Sequence, residues 1–176
     1  PNASILLIEP LIEEFNQSLK DIQTQRSCEL IGKALGATES TMEISYDPNR
    51  PTKASLFNRT SVSKNEGVLT KKQISVTTLD RVLENRELNG KSILLKIDAE
   101  GGEVSILKGA EQSLPFFDSI IVEVSIVKRF EESYEFEELI SFLMSHGFKL
   151  YSFLNLRTVK EESRQRYADI LFKKAE

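Results

Sequence analysis

Acidic side chains stand at the ends of three apolar runs that have the composition of buried strands. Glu9 closes the run SILLI, Asp98 follows the run SILLKI, and Glu123 lies near the end of SIIVEV. In an open sheet of parallel strands, ligands bind at the carboxyl ends of the strands, near the point where the strand order reverses. The sequence therefore predicts a ligand site lined by these carboxylates at one edge of a sheet.

The segment DAEGGE, from Asp98 to Glu103, places three carboxylates and two glycines at a junction between a strand and a helix. Glycines allow the backbone to turn sharply and to approach a ligand closely. Asp98 and Glu100 can there accept a hydrogen bond from an ammonium group, orient a hydroxyl group or hold a metal ion. As an alternative, Asp98 only caps the helix. Glu103 lies in the first helical turn, which stabilises a negative charge in any case, so we interpret it as structural.

Glu9 has two interpretations. At the end of the second strand of a mononucleotide-binding unit, a carboxylate accepts hydrogen bonds from both ribose hydroxyls. The same residue can instead cap the helix that is predicted to follow Pro10, where the helix dipole favours a negative charge. The chain has one histidine and one cysteine, so no histidine and cysteine spacing typical of a zinc site is present and no metal is predicted.

The elements that must position these side chains alternate along the sequence. Strands are predicted at 4–9, 28–35, 41–46, 74–77, 92–98, 119–124, 148–154 and 168–173, and helices at 11–23, 79–87, 103–113 and 131–146. This alternation predicts an α/β fold with a doubly wound, mostly parallel sheet. The last strand is expected to pair antiparallel, because no helical pattern precedes it. Residues 47–67 form a long polar connection, either a binding loop or lid, or a surface insertion.

Length, charge and composition limit the class of protein. The 176 residues suffice for one α/β domain, so we predict that 1–176 is a single unit. A net charge of −4 gives no electrostatic reason to expect nucleic acid or an anionic membrane as a partner. No apolar run approaches the roughly 20 residues that span a bilayer. The N-terminus does not resemble a signal peptide and the single cysteine fits a reducing compartment, so we expect a cytoplasmic protein.

Residues 94–110, LLKIDAEGGEVSILKGA, resemble the signature segment of the FkbM-family methyltransferases, which usually has the form LKIDVEGAE-x-x-VLKGA. Weaker similarities occur in the family's order at 5–10 (ILLIEP), 33–36 (KALG), 77–83 (TTLDRVL), 119–124 (SIIVEV) and 146–151 (HGFKLY). The resemblance therefore extends across nearly the whole chain.

The resemblance implies a Rossmann-like class I methyltransferase fold that binds S-adenosylmethionine. Methyl transfer in this family is usually to a hydroxyl oxygen, so the expected partner is a small-molecule, sugar or lipid acceptor. By position, Glu9, followed by Pro10, would bind the ribose hydroxyls of the cofactor, and Ala34 and Leu35 would border the adenine. Asp98 would lie near the methionine end or the acceptor.

Catalysis in this family would consist mainly of alignment and desolvation, because methyl transfer is an in-line displacement at a sulfonium. A base for the acceptor hydroxyl would be Asp98, Glu100 or Glu123. The sequence departs from the family at Gly102, where alanine is usual, and at Ser125, where relatives often have a histidine. The second departure weakens any mechanism with a histidine base.

A larger departure concerns the glycine-rich loop, resembling D-x-G-A-N-x-G, that precedes the glutamate strand in family members. Nothing like it stands ahead of Glu9 in this sequence. We therefore expect the first strand and helix of the sheet to be missing, and the chain as given to bind the cofactor weakly or not at all.

Two other classes of protein stay open. A nicotinamide-dependent oxidoreductase with a Rossmann-like sheet would use Glu9 in the same ribose-binding role, and an all-parallel sheet would favour it. A non-catalytic interaction domain would keep the fold without turnover. Apolar surface exposed at the missing strand would then be covered by a partner or by a second copy, so a homo-oligomer also stays open.

Overall fold

Strands connected by short helices make up most of the structure, a computed structural model that describes residues 3–15, 19, 21–22, 27–60, 68–158 and 165–175. The strands are β1 (Ile5–Ile8), β2 (Cys28–Ile31), β3 (Ala34–Leu35), β4 (Ser40–Asp47), β5 (Arg50–Ser55), β6 (Thr70–Thr77), β7 (Leu94–Ile97), β8 (Ser119–Ser125), β9 (Phe148–Thr158) and β10 (Gln165–Lys174). The α-helices with assigned bounds are α1 (Leu79–Leu83), α2 (Glu103–Lys108) and α3 (Phe136–Ser145), and two 3-10 helices span Ile12–Phe15 and Leu114–Phe116.

The helices are shorter than the sequence predicts. Thr78 caps α1 as expected, because its hydroxyl oxygen accepts a hydrogen bond from the Arg81 N–H at 3.1 Å. Helix α2 ends at Lys108, with Gly109 as its C-cap residue, since glycine readily ends a helix. The helix predicted at 11–23 begins as a 3-10 helix, and much of its remainder lies outside the described residues. Among the described residues, no helix is long and apolar enough to cross a membrane.

The strands form three sheets, of which the two four-stranded sheets are of mixed direction. Their orders are β1-β2, β7-β8-β10-β9 and β3-β6-β4-β5. Parallel pairs are β1 with β2, β3 with β6 and β7 with β8. Strand β10 runs antiparallel to both of its neighbours, and β4 runs antiparallel to β5 and β6. The predicted antiparallel last strand is confirmed, whereas the prediction of a mostly parallel sheet is corrected for the described residues.

This correction has a local cause in the segment 47–67, which was predicted to be a long connection. Its first part forms β5, which pairs with β4 across a tight turn in which the Asp47 carboxylate accepts the Asn49 N–H at 2.9 Å. So short a connection can join only antiparallel strands. Residues 61–67 lie outside the described part of the chain.

The predicted strand 28–35 is in fact two strands that belong to different sheets. Strand β2 pairs with β1, and β3 pairs with β6 through Ala34 and Val76. The break comes at Gly32, where a Cβ atom would lie 3.1 Å from the Ile12 side chain. The chain therefore changes sheet at a residue whose missing side chain leaves room for its neighbour.

The main core lies between the helices and one face of the β7-β8-β10-β9 sheet. Ile120, Val122 and Val124 of β8 are fully buried, as are Ile170 and Phe172 of β10, and they pack with apolar residues of α1, α2 and α3. Each fully buried side chain of this size contributes about 1.5–3 kcal/mol. Because side chains alternate along a strand, the residues between them point to the opposite face.

Candidate functional site

A groove of about 1380 Å³ runs between the edge strands of two sheets. Residues of β1 line it, as do residues of β7, and the turn after β7 also contributes to its wall. Among the described residues, β1 pairs only with β2 and β7 pairs only with β8. The groove is thus bounded on both sides by strand edges.

Backbone groups of both edge strands point into this groove. The N–H groups of Ile5 and Glu9 donate to carbonyl oxygens at the two ends of β2. The even-numbered residues of β1 therefore direct their backbone groups away from β2. In the same way, the Ile93 carbonyl accepts the Asp118 N–H next to β8, so Leu94 and Lys96 direct their backbone groups away from β8. Polar backbone groups are therefore available to a ligand along both walls.

The residues predicted to bind the cofactor line this same groove. They are Glu9, Pro10, Ala34, Leu35 and Asp98, which come from β1, β3 and the end of β7. Glu100 lines it as well. Sequence positions almost ninety residues apart are thus brought to one cavity by the fold.

Glu9 is half-buried at the end of β1. Its Oε1 atom accepts a hydrogen bond from the Leu11 N–H at 2.8 Å, so the capping interpretation holds for one oxygen. Burial raises the pKa of the Glu9 carboxyl, and the Leu11 N–H opposes that effect. No described residue bonds to Oε2, which leaves one carboxylate oxygen for a ligand.

Two of the predicted catalytic carboxylates are neighbours at the ends of adjacent strands. Ile97 of β7 pairs with Val122 of β8, so the residues that follow them, Asp98 and Glu123, lie side by side. The Asp98 carboxylate is partly exposed and lies 3.1 Å from the Lys96 ammonium group. The side chain of Glu123 is 15% exposed and, by the alternation of β8, points away from the helices.

Glu123 changes its protonation state near neutral pH. Burial and the charge of Asp98 raise its pKa to about 7, although Arg129 acts in the opposite direction. A carboxyl group with such a pKa can both take up and release a proton under physiological conditions. This property makes Glu123 a candidate proton acceptor.

Arg129 joins the predicted carboxylates, although sequence reasoning missed it. Its Nη2 atom donates to Glu123 Oε1 at 2.8 Å, its Nε atom donates to Ser125 Oγ at 2.9 Å, and Nη1 lies 3.3 Å from Glu100 Oε2. Arg129 is 5% exposed. It lies in a connection without apolar periodicity, so no sequence pattern indicated that it is buried.

Glu100 has an unusual backbone conformation in the turn after β7. Its φ is +45°, in the left-handed region that non-glycine residues seldom adopt and that is found often at functional sites. Its Oε2 atom lies 3.6 Å from Arg59 in addition to Arg129. The Ser55 hydroxyl donates to the Glu100 carbonyl oxygen at 2.8 Å, which fixes the turn from β5.

The buried side chain of Glu103 stabilises the same turn. It is fully buried, and its carboxylate accepts the N–H groups of Ala99 and Gly101 at 3.1–3.2 Å. Burial raises its pKa. These contacts support the structural interpretation of Glu103 and leave it no evident part in ligand binding.

The segment that follows β5, residues 56–60, packs over the site. The Thr60 N–H donates to the Arg129 carbonyl oxygen at 2.9 Å, and the Glu131 N–H donates to the Asn58 carbonyl oxygen at 2.9 Å. Arg59 also lies over the Phe130 ring, with 4.9 Å between guanidinium and ring centre. The described part of the predicted loop 47–67 is therefore attached to the site by backbone and side-chain contacts.

A metal ion has no evident place in this site. Within the part of the chain that the structure describes, no group of three or more His, Cys, Asp or Glu residues could hold one.

Comparisons with known proteins identify the family. The model of the FkbM methyltransferase domain matches residues 2–150. The fold is similar to the crystal structure of methyltransferase FkbM from Methylobacillus flagellatus KT, with a TM-score of 0.52 and 16% sequence identity. That similarity covers 97% of this chain but 36% of the other, so this chain spans about a third of its length. A search of curated proteins gave no significant sequence match. The resemblance in the signature segment is confirmed, and the chain belongs to the FkbM methyltransferase domain family.

Proposed function

We propose that the protein is an S-adenosylmethionine-dependent methyltransferase that methylates a hydroxyl oxygen of a small molecule, a sugar or a lipid. Membership of the methyltransferase family supports the reaction class. The observation that carries the proposal is the convergence of Glu9 and Asp98 on one groove. A ligand that extends from one carboxylate to the other would pass along the edges of β1 and β7.

The residues of the groove fit the proposed cofactor. The second oxygen of Glu9 would accept hydrogen bonds from the ribose hydroxyls, as acidic residues at this strand end do in nucleotide-binding folds. Pro10 would fix the chain direction beside it, and the apolar side chains of Ala34 and Leu35 would pack against the adenine. When bound, the cofactor supplies an electrophilic methyl group on a positively charged sulfur. Asp98 would lie near that charge.

Glu123 does not itself line the groove but adjoins Asp98, which does, and its pKa of about 7 makes it the candidate that would accept the proton of the acceptor hydroxyl. Glu100 Oε2 lies 3.6 Å from Arg59 and 3.3 Å from Arg129, so its carboxylate is already directed at two guanidinium groups. Asp98, next to Glu123, would orient the hydroxyl group. The Glu123 carboxylate would take up the proton of the acceptor hydroxyl, and the bound cofactor would supply the methyl group that replaces it. The protein would contribute mainly alignment and exclusion of water.

The antiparallel β10 disfavours the alternative of a nicotinamide-dependent oxidoreductase, for which we expected an all-parallel sheet. We also infer that neither nucleic acid nor a membrane is a partner, in keeping with the net charge of −4. A cytoplasmic location agrees with the presence of a single cysteine. A homo-oligomer would be compatible with the open strand edges.

Methyl transfer can be tested with S-adenosylmethionine that carries a tritiated methyl group. The full-length protein, meaning the polypeptide with any segment that precedes this chain, is incubated with a panel of monosaccharides, phenols and hydroxylated lipids. We expect label in at least one compound, and a rate about 100-fold lower in Glu123→Gln, which is the lower end of what general base catalysis contributes. The exposed Glu111→Gln variant, matched in chemistry, should keep the original rate. Folded protein that binds neither S-adenosylmethionine nor S-adenosylhomocysteine would contradict the proposal.

A further inference from the structure

We propose that Arg129 is a positioning residue of this site, whose guanidinium group fixes the Glu123 and Glu100 carboxylates beside Asp98, the carboxylate at the wall of the groove. The inference rests on the proposed methyltransferase function. It concerns a residue that neither the signature segment nor the strand-end rule indicates.

The contacts of Arg129 use the whole guanidinium fork. One terminal nitrogen bonds to Glu123, the other lies against Glu100, and Nε bonds to the Ser125 hydroxyl. The planar fork of arginine can hold several acceptors in fixed directions, which a lysine ammonium group cannot. One side chain therefore connects the end of β8 with the turn after β7.

Two aromatic rings also lie next to the guanidinium group of Arg129. Its central carbon lies 4.5 Å from the centre of the Tyr167 ring and 5.4 Å from that of Phe130. A buried cation costs several kcal/mol of desolvation unless it is well paired. The pairing with two carboxylates and two rings fixes both the position and the charge of Arg129.

Charges from four directions act on Glu123. Asp98 lies beside it at the end of β7, and Asp169 is its cross-strand partner on β10. Glu100 in the turn adds a third negative charge, while Arg129 and Arg59 are the cations of the cluster. Arg129 is the cation hydrogen-bonded to Glu123. Without it, Glu123 would lie among three other carboxylates with Arg59 as the remaining cation, which opposes ionisation of Glu123.

The experiment compares three variants of the full-length protein. Arg129→Met removes the charge, Arg129→Lys keeps the charge without the fork, and Lys128→Met removes a neighbouring cation that pairs on the surface with Glu135. The titration of Glu123 is followed by carbon-13 NMR of its carboxyl group, assigned by its loss in Glu123→Gln. The pH profile of kcat is measured with the panel compound that the unmodified protein methylates. Affinity for S-adenosylhomocysteine is measured by calorimetry.

In Arg129→Met we expect the titration midpoint of Glu123 and the rising limb of the kcat profile to move to higher pH by about one unit or more. Arg129→Lys should return the midpoint to near its original value but keep a reduced kcat with an unchanged KM for S-adenosylmethionine. Lys128→Met should match the unmodified protein.

Unchanged midpoint and profile in Arg129→Met would overturn the inference, as would full kcat in Arg129→Lys. If Arg129→Met does not fold, the Arg129→Lys result decides. Lack of S-adenosylhomocysteine binding by the unmodified protein contradicts the proposed function instead, and this is seen before any variant is compared.

Discussion

At the scale of single residues, the two adjacent glycines of the signature segment, Gly101 and Gly102, have different structural requirements. Gly101 has a φ of +105°, and a Cβ atom there would lie 2.8 Å from the Phe130 ring. Gly102 has a φ of −90°, and its Cβ would meet the Ala99 carbonyl oxygen at an ordinary 3.5 Å. Only the first position needs glycine, which explains why the family can have alanine at the second.

Alanine substitution should therefore have opposite effects at these two positions. We expect Gly101→Ala to lower the free energy of unfolding by about 1–3 kcal/mol, because of backbone strain and the clash with Phe130. Gly102→Ala should raise it by about 0.4–1 kcal/mol, because it restricts the unfolded chain without strain in the folded one. Urea unfolding of both variants measures the difference, and a loss of stability in Gly102→Ala would show that this description of the turn is wrong.

Protonation of Glu123 should make stability depend on pH. Its pKa is raised from 4.5 to about 7, so between these values the folded protein keeps a proton that the unfolded chain has lost. This contribution to stability is therefore full below pH 4.5 and is lost as the pH rises towards 7, by an amount on the order of 2 kcal/mol. Urea unfolding at pH 5 and pH 8 should show a smaller decrease in Glu123→Gln. An identical decrease would mean that Glu123 does not titrate in this range.

The acidic residues of the site could be predicted from the sequence, whereas the arginines that pair with them could not. Glu9, Asp98 and Glu123 stand at strand ends, and strand ends are visible as apolar runs that stop. Arg129 and Arg59 reach the site from connections without periodicity, and their contacts depend on how distant segments pack. One indirect indication was available from the sequence: carboxylates that are buried at strand ends need cations nearby.

At the scale of elements, the segment TTLDRVL has a structural role that the contacts make clear. The Asp80 carboxylate accepts hydrogen bonds from the N–H groups of Gln112 and Ser113 at 3.1 and 2.8 Å, and from the Ser113 hydroxyl. The Asp80 N–H in turn donates to the Gly109 carbonyl oxygen. Helix α1 is thereby attached to the chain that leaves α2.

Removal of this carboxylate should destabilise the fold without changing the groove. We expect Asp80→Ala to lower the free energy of unfolding by about 1–3 kcal/mol, because it leaves partly buried donors without an acceptor. Glu111→Ala, an exposed acidic residue in the same region, should change it by less than about 0.5 kcal/mol. Equal stability of the two variants in urea would contradict the attachment of α1 through Asp80.

Elements with strong apolar patterns were predicted well, and those defined by pairing were not. Strands β1, β7 and β8 are apolar runs, so their positions follow from composition. Strand β5, RPTKAS, is polar and contains a proline, and only its pairing with β4 makes it a strand. The division of 28–35 into β2 and β3 likewise depends on which strand each half meets.

At the scale of the whole molecule, Glu9 and Asp98 line one groove although they follow strands of two different sheets, so the expectation of a single sheet edge is corrected for the described residues. The mixed direction of the β3-β6-β4-β5 sheet could not be predicted, since it follows from β5 and from the pairing of β4 with β6. Among the described residues, no strand lies between β1 and β7. This gap is the groove that separates the two sheets.

Calorimetric titration of S-adenosylhomocysteine into the full-length protein tests the central claim, that this groove binds the adenosyl group through Glu9. We expect saturable binding by the unmodified protein and a loss of about 10-fold or more in Glu9→Gln, because each hydrogen bond from a hydroxyl to a carboxylate contributes roughly 1.5–3 kcal/mol. The exposed Glu111→Gln variant should bind like the unmodified protein. Absence of binding by the folded protein, or equal affinity in Glu9→Gln, would contradict the claim.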